Sequence, residues 1–245
     1  MHEYNALPQS KFLKDVEAHQ INIIKDDGLY RHVRFSRNES SYLRFDLITW
    51  PGYLCITGDC ETFIFARLPD MFEFFEGNSS EKYPINPGYW SEKLQGKKDY
   101  ECFSEEKFNK LITDYFNSFC KDKSISKKEK NQLWAEIKEQ VLDLDSDGAQ
   151  RAAYNFSFKT SDGNFNFQDF YEHDITDYTH HFLWACYAII YGIKKYREHK
   201  NNNEKEVLAK KYGFNPASGI VTANIGGDAR MTLAQVEEMK NAGML

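Results

Sequence analysis

The 245-residue sequence predicts an α+β fold: a four- or five-stranded antiparallel meander sheet packed by helices, with a small C-terminal appendage. Two observations lead to this prediction. Residues 29–75 contain four short runs rich in β-branched and aromatic residues, each closed by turn residues. From Ser104 onward the spacing of apolar residues changes from two to about 3.6, which is typical of amphipathic helices.

The meander is predicted to have one buried and one solvent-facing side, because apolar and polar residues alternate along its strands. Phe45 alternates in phase with Leu43 and Leu47 and should point inward. Asp27-Gly28 suits a hairpin turn that follows an edge strand over residues 21–28. Pro51-Gly52 suits a type II turn. The outward side should carry a polar group that could bind a partner, namely Tyr30, His32, Arg34, Arg44 and Asp46.

Helical patterns lie on both sides of the meander. They cover residues 10–20, short segments after Pro69 and Pro87, longer segments opened by Ser104 and Ser126, and residues 175–196. Ser104 can cap its helix, because a serine hydroxyl can accept a backbone N–H of the first turn, although Lys107 stands where a full capping box has a glutamate. The segment 175–196 is apolar nearly all round in its middle, which indicates a central helix.

Residues 199–206 form a hydrophilic break, which we interpret as the boundary between a core domain (1–198) and an appendage or docking arm (199–245). The appendage has two short helical patterns, 206–214 and 232–243, around a glycine-rich link over 219–230. Helices of this length are marginal alone in water. We therefore expect the appendage to dock on the core, on a second copy of the chain or on a partner, with Tyr212 and Phe214 among the contacts.

Composition narrows the function classes. A net charge of −6 and a pI near 5.7 make direct nucleic-acid binding or attraction to anionic membranes unexpected. No apolar run is long enough for a membrane helix, and the first residues lack a signal core. The five cysteines are an odd number without a CxxC pair, which indicates reduced thiols in a cytoplasm.

The segment 172–181 concentrates possible metal ligands or proton carriers. They are Glu172, His173, Asp174, Asp177, His180 and His181. On a helix, His173, Asp177 and His180 or His181 would share one face, and carboxylates with imidazoles commonly bind metals. The segment is not an HExxH motif, and a polar helix entry capped by Asp174 or Thr176 explains it as well. We favour that interpretation and expect no metal, cofactor or catalytic residue.

A second acidic group occupies residues 136–147. Asp143, Asp145, Asp147 and Gly148 resemble the start of a calcium loop, but Tyr154 stands where a bidentate glutamate is required. A capped, solvated helix end is the preferred interpretation. The candidates for an acidic partner-binding surface are Glu136, Glu139, Asp143, Asp145 and Asp147.

Five sequence segments together resemble a widespread family of small proteins encoded by phages and prophages of enterobacteria and their relatives. They are DDGLYRHVRF, LRFDLITWPGYLCITGD, RLPDMFEFF, INPGYWSEK and YEHDITDYTHHFLWACYAIIYGIKKY, spread over about residues 9–197. The family has no assigned catalytic residues to transfer. The resemblance implies a phage-encoded protein that works in the cytoplasm of an infected or lysogenic bacterium.

These observations favour a non-enzymatic binding protein that inhibits or modulates a host system, with a nucleic-acid-directed defence such as CRISPR or restriction as the expected target. Its partner would be a host protein or nucleoprotein complex, and the C-terminal segment could also mediate self-association. Two alternatives stay open. One is a metal-dependent hydrolase or nuclease centred on residues 172–181, and the other is a phage regulatory or structural interaction protein.

Overall fold

Five antiparallel strands form one sheet, and their spatial order is their order along the chain. They are β1 (Gln20–Asp27), β2 (Tyr30–Ser36), β3 (Phe45–Trp50), β4 (Tyr53–Gly58) and β5 (Phe63–Ala66). The computed structural model describes residues 7–38, 40–76, 84–96, 100–212, 214–215, 220–222, 230–232, 234 and 237, with side chains described through residue 204 and at 234 and 237. The predicted α+β class and the antiparallel meander are confirmed.

Helices occur before and after these strands. They are α1 (Gln9–Asp15), α2 (Met71–Glu76), α3 (Pro87–Ser91), α4 (Glu105–Asp122), α5 (Lys127–Ile137), α6 (Ser146–Asn155) and α7 (His180–Tyr212). The later strands are β6 (Glu101–Phe103), β7 (Ser157–Thr160), β8 (Gly163–Asn166), β9 (Thr176–Tyr178), β10 (Phe214–Asn215), β11 (Ile220–Thr222) and β12 (Arg230–Thr232). None of the helices within the described ranges is long and apolar enough to cross a membrane.

The chain divides into two compact units. A sheet unit comprises residues 8–96 and 184–245, and a helical unit comprises residues 1–7 and 97–183. The first turn of α7 belongs to the helical unit and the rest of α7 to the sheet unit. This division within the predicted core domain was not anticipated from the sequence.

In the sheet unit, the two predicted turns form as expected. Gly28 between β1 and β2 has a φ of +58°, and Gly52 between β3 and β4 has a φ of +86°. Both values lie in the left-handed region, which glycine enters without a steric penalty. β1 is the edge strand, and a bulge between Ile23 and Lys25 interrupts its pairing with β2.

The inner face of the sheet is apolar and packed. Its buried side chains are Val33, Phe35, Phe45, Leu47, Leu54, Ile56, Phe63 and Phe65. Phe45 stacks on Phe35 with ring centroids 4.7 Å apart. The inward orientation predicted for Phe45 is therefore confirmed.

Helix α7 covers this inner face at close range. A Cβ added to Gly192 would lie only 2.6 Å from Leu47 Cδ1 and 3.0 Å from Phe35 Cε2. The backbone of α7 can therefore come this close to the sheet only because residue 192 has no side chain. Trp184 packs edge-on against Phe45 at 5.5 Å and against Phe12 of α1 at 5.2 Å. The predicted central role of this apolar helix is borne out within the sheet unit.

The helical unit has its own core, formed where α4, α5 and α6 meet the β7–β8 hairpin. The core residues include Phe108, Ile112, Leu133, Ile137, Val141, Ala149, Ala153, Phe156, Phe165, Phe167 and Phe170. Ser104 caps α4, and Ser126 caps α5 in a capping box with Glu129. A π-helical turn, Lys138–Leu142, extends α5.

The start predicted for the central helix is wrong. Residues 176–178 form β9, which pairs with β6, so the helix predicted from Ile175 begins only at His180. The hydrophilic residues 199–206 lie inside α7 and do not interrupt it. Residues 201–204 are exposed. Their three asparagines are weaker helix formers than lysine or glutamate, but each costs less than about 0.7 kcal/mol relative to alanine, and the helix continues through them.

In the C-terminal region, the predicted glycine-rich link contains strands. β10, β11 and β12 form a three-stranded antiparallel sheet. Tyr212 is the last residue of α7 and Phe214 opens β10. The helical pattern predicted for 232–243 lies mostly outside the described residues, and its first residue, Thr232, ends β12. The division into a core of 1–198 and an appendage of 199–245 stays a prediction.

Replacing Gly192 with alanine should destabilise the protein by about 1–3 kcal/mol, because the new Cβ overlaps the buried Leu47 and Phe35 side chains. This loss should exceed the gain of roughly 1 kcal/mol in helix propensity. Urea denaturation measures the change. Asn202→Ala, at an exposed site of the same helix, is the control and should be neutral or slightly stabilising. An alanine variant at 192 as stable as the parent protein would contradict the close approach of α7.

Candidate functional site

The outward side of β2 and β3 carries a charged network. Arg34 Nε donates to Asp46 Oδ1 at 2.9 Å and Arg34 Nη2 donates to Asp46 Oδ2 at 2.8 Å. His32 Nε2 lies 2.7 Å from the same Oδ2. The strands bring the three together because Arg34 pairs directly with Asp46 in the β2–β3 register, and His32 is two residues from Arg34 on the same face.

Asp46 is the centre of this network. Burial raises the pKa of its carboxyl, but the hydrogen bonds from Arg34 and His32 outweigh burial, so the pKa is lowered overall. The Asp46 side chain is only 8% exposed, whereas those of His32 and Arg34 are more open. The network is therefore a satisfied ion cluster that joins two central strands.

The other predicted members of the polar sheet face lie apart from the network. Tyr30 is half exposed, and Lys25 Nζ lies 5.4 Å from the centre of its ring. Arg44 precedes β3, where its carbonyl accepts a hydrogen bond from the Asp59 backbone. At the other end of β3, four residues from Asp46, the rings of Trp50 and Tyr53 stack with their centroids 5.2 Å apart.

Arg31 is a charged residue that the sequence analysis passed over. It lies in phase with Val33 and Phe35 on the inner face and is buried. Its two terminal nitrogens donate to the two Asp70 oxygens at 2.8 Å each, and its guanidinium lies 4.6 Å from the centre of the Phe72 ring. The alternation of inward and outward residues along β2 could have revealed this pair. It places Arg31 on the inner face, where a buried arginine requires a charged or hydrogen-bonding partner.

The segment 172–181 does not form the helical face that a metal site would need. His173 follows a 3₁₀ turn and its Nε2 lies 2.8 Å from the Tyr115 hydroxyl. Asp177 lies in β9, and His180 and His181 open α7. Within the described ranges, no group of three or more histidine, cysteine, aspartate or glutamate side chains is arranged to hold a metal ion.

Two carboxylates of this segment, those of Asp174 and Asp177, have structural partners. Lys107 Nζ lies 3.2 Å from Asp174 and 3.0 Å from Asp177 and also donates to the Thr176 carbonyl. Asp174 Oδ1 accepts from the Thr176 backbone N–H at 2.9 Å, which fixes the turn into β9. The predicted capping role of Asp174 is thus performed at a strand entry and not at a helix entry.

We call Glu136, Glu139, Asp143, Asp145 and Asp147 the acidic segment. It runs from the end of α5 through the π-helical turn into the first turn of α6. Asp145 caps α6 by accepting the Gly148 N–H at 2.8 Å, so the predicted capped helix end is confirmed. Glu136 accepts a hydrogen bond from Gln140. The carboxylates of Glu139, Asp143 and Asp147 are exposed and have no ion pair or hydrogen bond with any described residue.

None of the five cysteines, all of which are described, forms a disulfide. Burial raises the pKa of the Cys60 thiol to about 12, and burial also raises the pKa of Cys102, Cys120 and Cys186. A thiol with a raised pKa is protonated at neutral pH and is a poor nucleophile. These four side chains therefore act as small packing residues.

No protein-family model, curated protein or solved structure matches this chain. The choice between the candidate surfaces therefore depends on their geometry. Arg34 Nε and Nη2 and His32 Nε2 are already engaged by Asp46, whereas three carboxylates of the acidic segment are unengaged by described residues.

Replacing Asp46 with asparagine should destabilise the protein by about 2 kcal/mol at pH 7, because hydrogen bonds to a charged acceptor are lost. The lowered pKa of Asp46 means that its stabilising contribution is complete above roughly pH 4 and is lost as pH falls through the folded-state value. The stability difference between the parent and Asp46→Asn proteins should thus shrink between pH 7 and pH 3 in urea denaturation. Asp114→Asn, at an exposed position, is the control. A difference that is constant with pH would refute the ion cluster.

Proposed function

We propose that this chain is a phage- or prophage-encoded binding protein that inhibits a nucleic-acid-directed defence of its bacterial host, of the CRISPR or restriction type. In this proposal the protein acts without catalysis of its own. The acidic segment occupies a basic surface with which the host complex would otherwise hold nucleic acid.

The observation that supports this proposal most is the set of unengaged carboxylates at Glu139, Asp143 and Asp147. Several other carboxylates, such as those of Asp46, Asp70 and Asp26, are paired with basic side chains. The acidic segment is distinguished by combining carboxylates unpaired among the described residues with a high local density of acids. Residues 136–147 contain five acidic side chains and one basic side chain, Lys138. Repulsion among like charges costs folding free energy, and an oppositely charged partner relieves it on binding.

The acidic segment is held on a fixed scaffold. Val141 and Ile137 anchor the π-helical turn and the end of α5 in the core of the helical unit, and Asp145 caps α6. A surface that is already ordered loses little conformational entropy on binding, which favours affinity. Leu144 is 46% exposed between two of the carboxylates and offers an apolar contact within a charged rim.

Basic nucleic-acid channels are complementary to such a surface. A protein channel that neutralises phosphates does so with lysine and arginine, and spaced carboxylates can satisfy the same groups. The resemblance of residues 9–197 to phage-encoded proteins supports a host defence complex as the owner of that channel. Association of this kind should weaken steeply as ionic strength rises.

The test expresses the chain in bacteria that carry individual restriction or CRISPR systems and measures the plating efficiency of a targeted phage. We expect protection of roughly tenfold or more against at least one system, and its loss in the triple variant Glu139→Lys, Asp143→Lys, Asp147→Lys. Asp145 and Glu136 are left unchanged because they bond within the fold.

The matched control is Glu17→Lys, Asp114→Lys, Asp122→Lys. It makes the same change in net charge at exposed positions outside the acidic segment and should keep full protection. Both variants should melt within a few degrees of the parent protein, as expected for surface substitutions. Undiminished protection by the first variant, or no protection in any host, would overturn the proposal.

A further inference from the structure

A pocket of about 310 Å³ opens in the helical unit beside the end of α6 and the chain that follows β8. Its lining includes Tyr154, Phe167, Asp169, Phe170, Tyr171 and Glu172. The two phenylalanine rings are buried and belong to the core of the unit, so this wall of the pocket is fixed. The two tyrosines are 58% and 65% exposed, so the pocket is open to solvent.

The exposed tyrosines contact each other. The ring centroids of Tyr154 and Tyr171 are 4.7 Å apart, with an angle of 42° between the ring planes. Each ring reaches the site from a different element, Tyr154 from α6 and Tyr171 from the 3₁₀ turn Phe170–Glu172. Two adjacent ring faces that stay in water provide the negative π surface to which cations bind.

Two carboxylates share the pocket with these rings. Asp169 and Glu172 are exposed and form no ion pair with a described residue. Burial raises the pKa of the Tyr115 hydroxyl, and the nearby charges of Asp169 and Glu172 raise it further. Tyr115 itself is engaged, since its hydroxyl donates to the Gln168 carbonyl and lies 2.8 Å from His173 Nε2.

The backbone at Asp169 has a φ of +51°, an uncommon conformation for a residue other than glycine. Aspartate and asparagine tolerate this conformation better than most residues. Such conformations are concentrated at binding sites, where the surrounding contacts hold them in place.

We propose that this pocket binds an arginine side chain presented by the partner protein. The inference rests on the proposed function, because the partner is the basic surface that faces the acidic segment. A guanidinium is planar, stacks on an aromatic ring and donates in a fork to a carboxylate, so it can use the tyrosines and the acids together. The solvent-facing opening admits a side chain that projects from a larger surface.

The probe is the peptide acetyl-Gly-Arg-Gly-amide, titrated into the full chain while the ring signals of Tyr154 and Tyr171 are followed by NMR. The matching citrulline peptide, which is neutral but has nearly the same shape, should not bind. Lysine in place of arginine should bind more weakly, because an ammonium lacks the planar fork. Equal binding of the arginine and citrulline peptides would overturn the inference.

Two variants locate the site. Tyr171→Leu removes one ring, and Asp169→Asn removes one charge while keeping a residue that accepts a positive φ. Each should weaken binding of the arginine peptide by about fivefold or more. Tyr42→Leu is the control, because Tyr42 is equally exposed but lies outside the pocket, and it should leave binding unchanged. Thermal melting shows whether each variant is folded.

The plating assay separates this inference from the proposed function. If the parent protein does not bind the arginine peptide and both pocket variants keep full protection, the arginine-binding role of the pocket is wrong. The acidic segment then remains the proposed binding surface. Peptide binding without protection in any host would overturn the proposed function and retain the arginine pocket. Loss of both peptide binding and protection in the folded pocket variants would support the two proposals together.

Discussion

The contact between α7 and the inner face of the sheet is made across Gly192, where the helix backbone lies against Leu47 and Phe35. Other contacts of the sheet unit depend on this short separation. Trp184, two turns earlier, reaches Phe45, and Tyr196, one turn later, donates to Asp26 at 2.7 Å. A helix held farther away would lose these contacts together, since packed interiors leave little room for gradual adjustment.

The chain uses its carboxylates in two different ways. In the sheet unit, Asp70 satisfies the buried Arg31, and Asp46 joins two strands through Arg34. Such pairs belong to the folded state, because separating either partner would leave a buried charge. In the helical unit, the carboxylates of Glu139, Asp143 and Asp147 form no ion pair or hydrogen bond with a described residue. Charges that the fold does not use are available to a partner.

Local patterns were sufficient to predict the meander, because its signals are short-range. Alternation placed Phe45 inward, and glycine marked the turns at Gly28 and Gly52. The caps at Ser104, Ser126 and Asp145 were likewise predictable from residue type and spacing.

Features that depend on distant residues were not predictable in this way. β9 exists because it pairs with β6, more than seventy residues earlier, and this pairing overrides the helical pattern of the segment. For the same reason His173 and Asp177 do not lie on one helical face. The acidic segment was identified from sequence, but its unengaged members could be distinguished from Asp145 and Glu136 only by their contacts. The pocket at Tyr154 and Tyr171 joins residues from separate elements and had no sequence signal.

The bulge in β1 has a consequence for the behaviour of the protein at high concentration. Within the described part of the chain no strand pairs with the outer edge of β1, and Ile24 at the bulge is 48% exposed. A regular apolar edge would template intermolecular strand addition and aggregation. The bulge breaks the spacing of the free backbone groups, and Lys25 and Asp26 follow it directly. The open edge of the sheet is thereby protected against fibrillar association without a covering element.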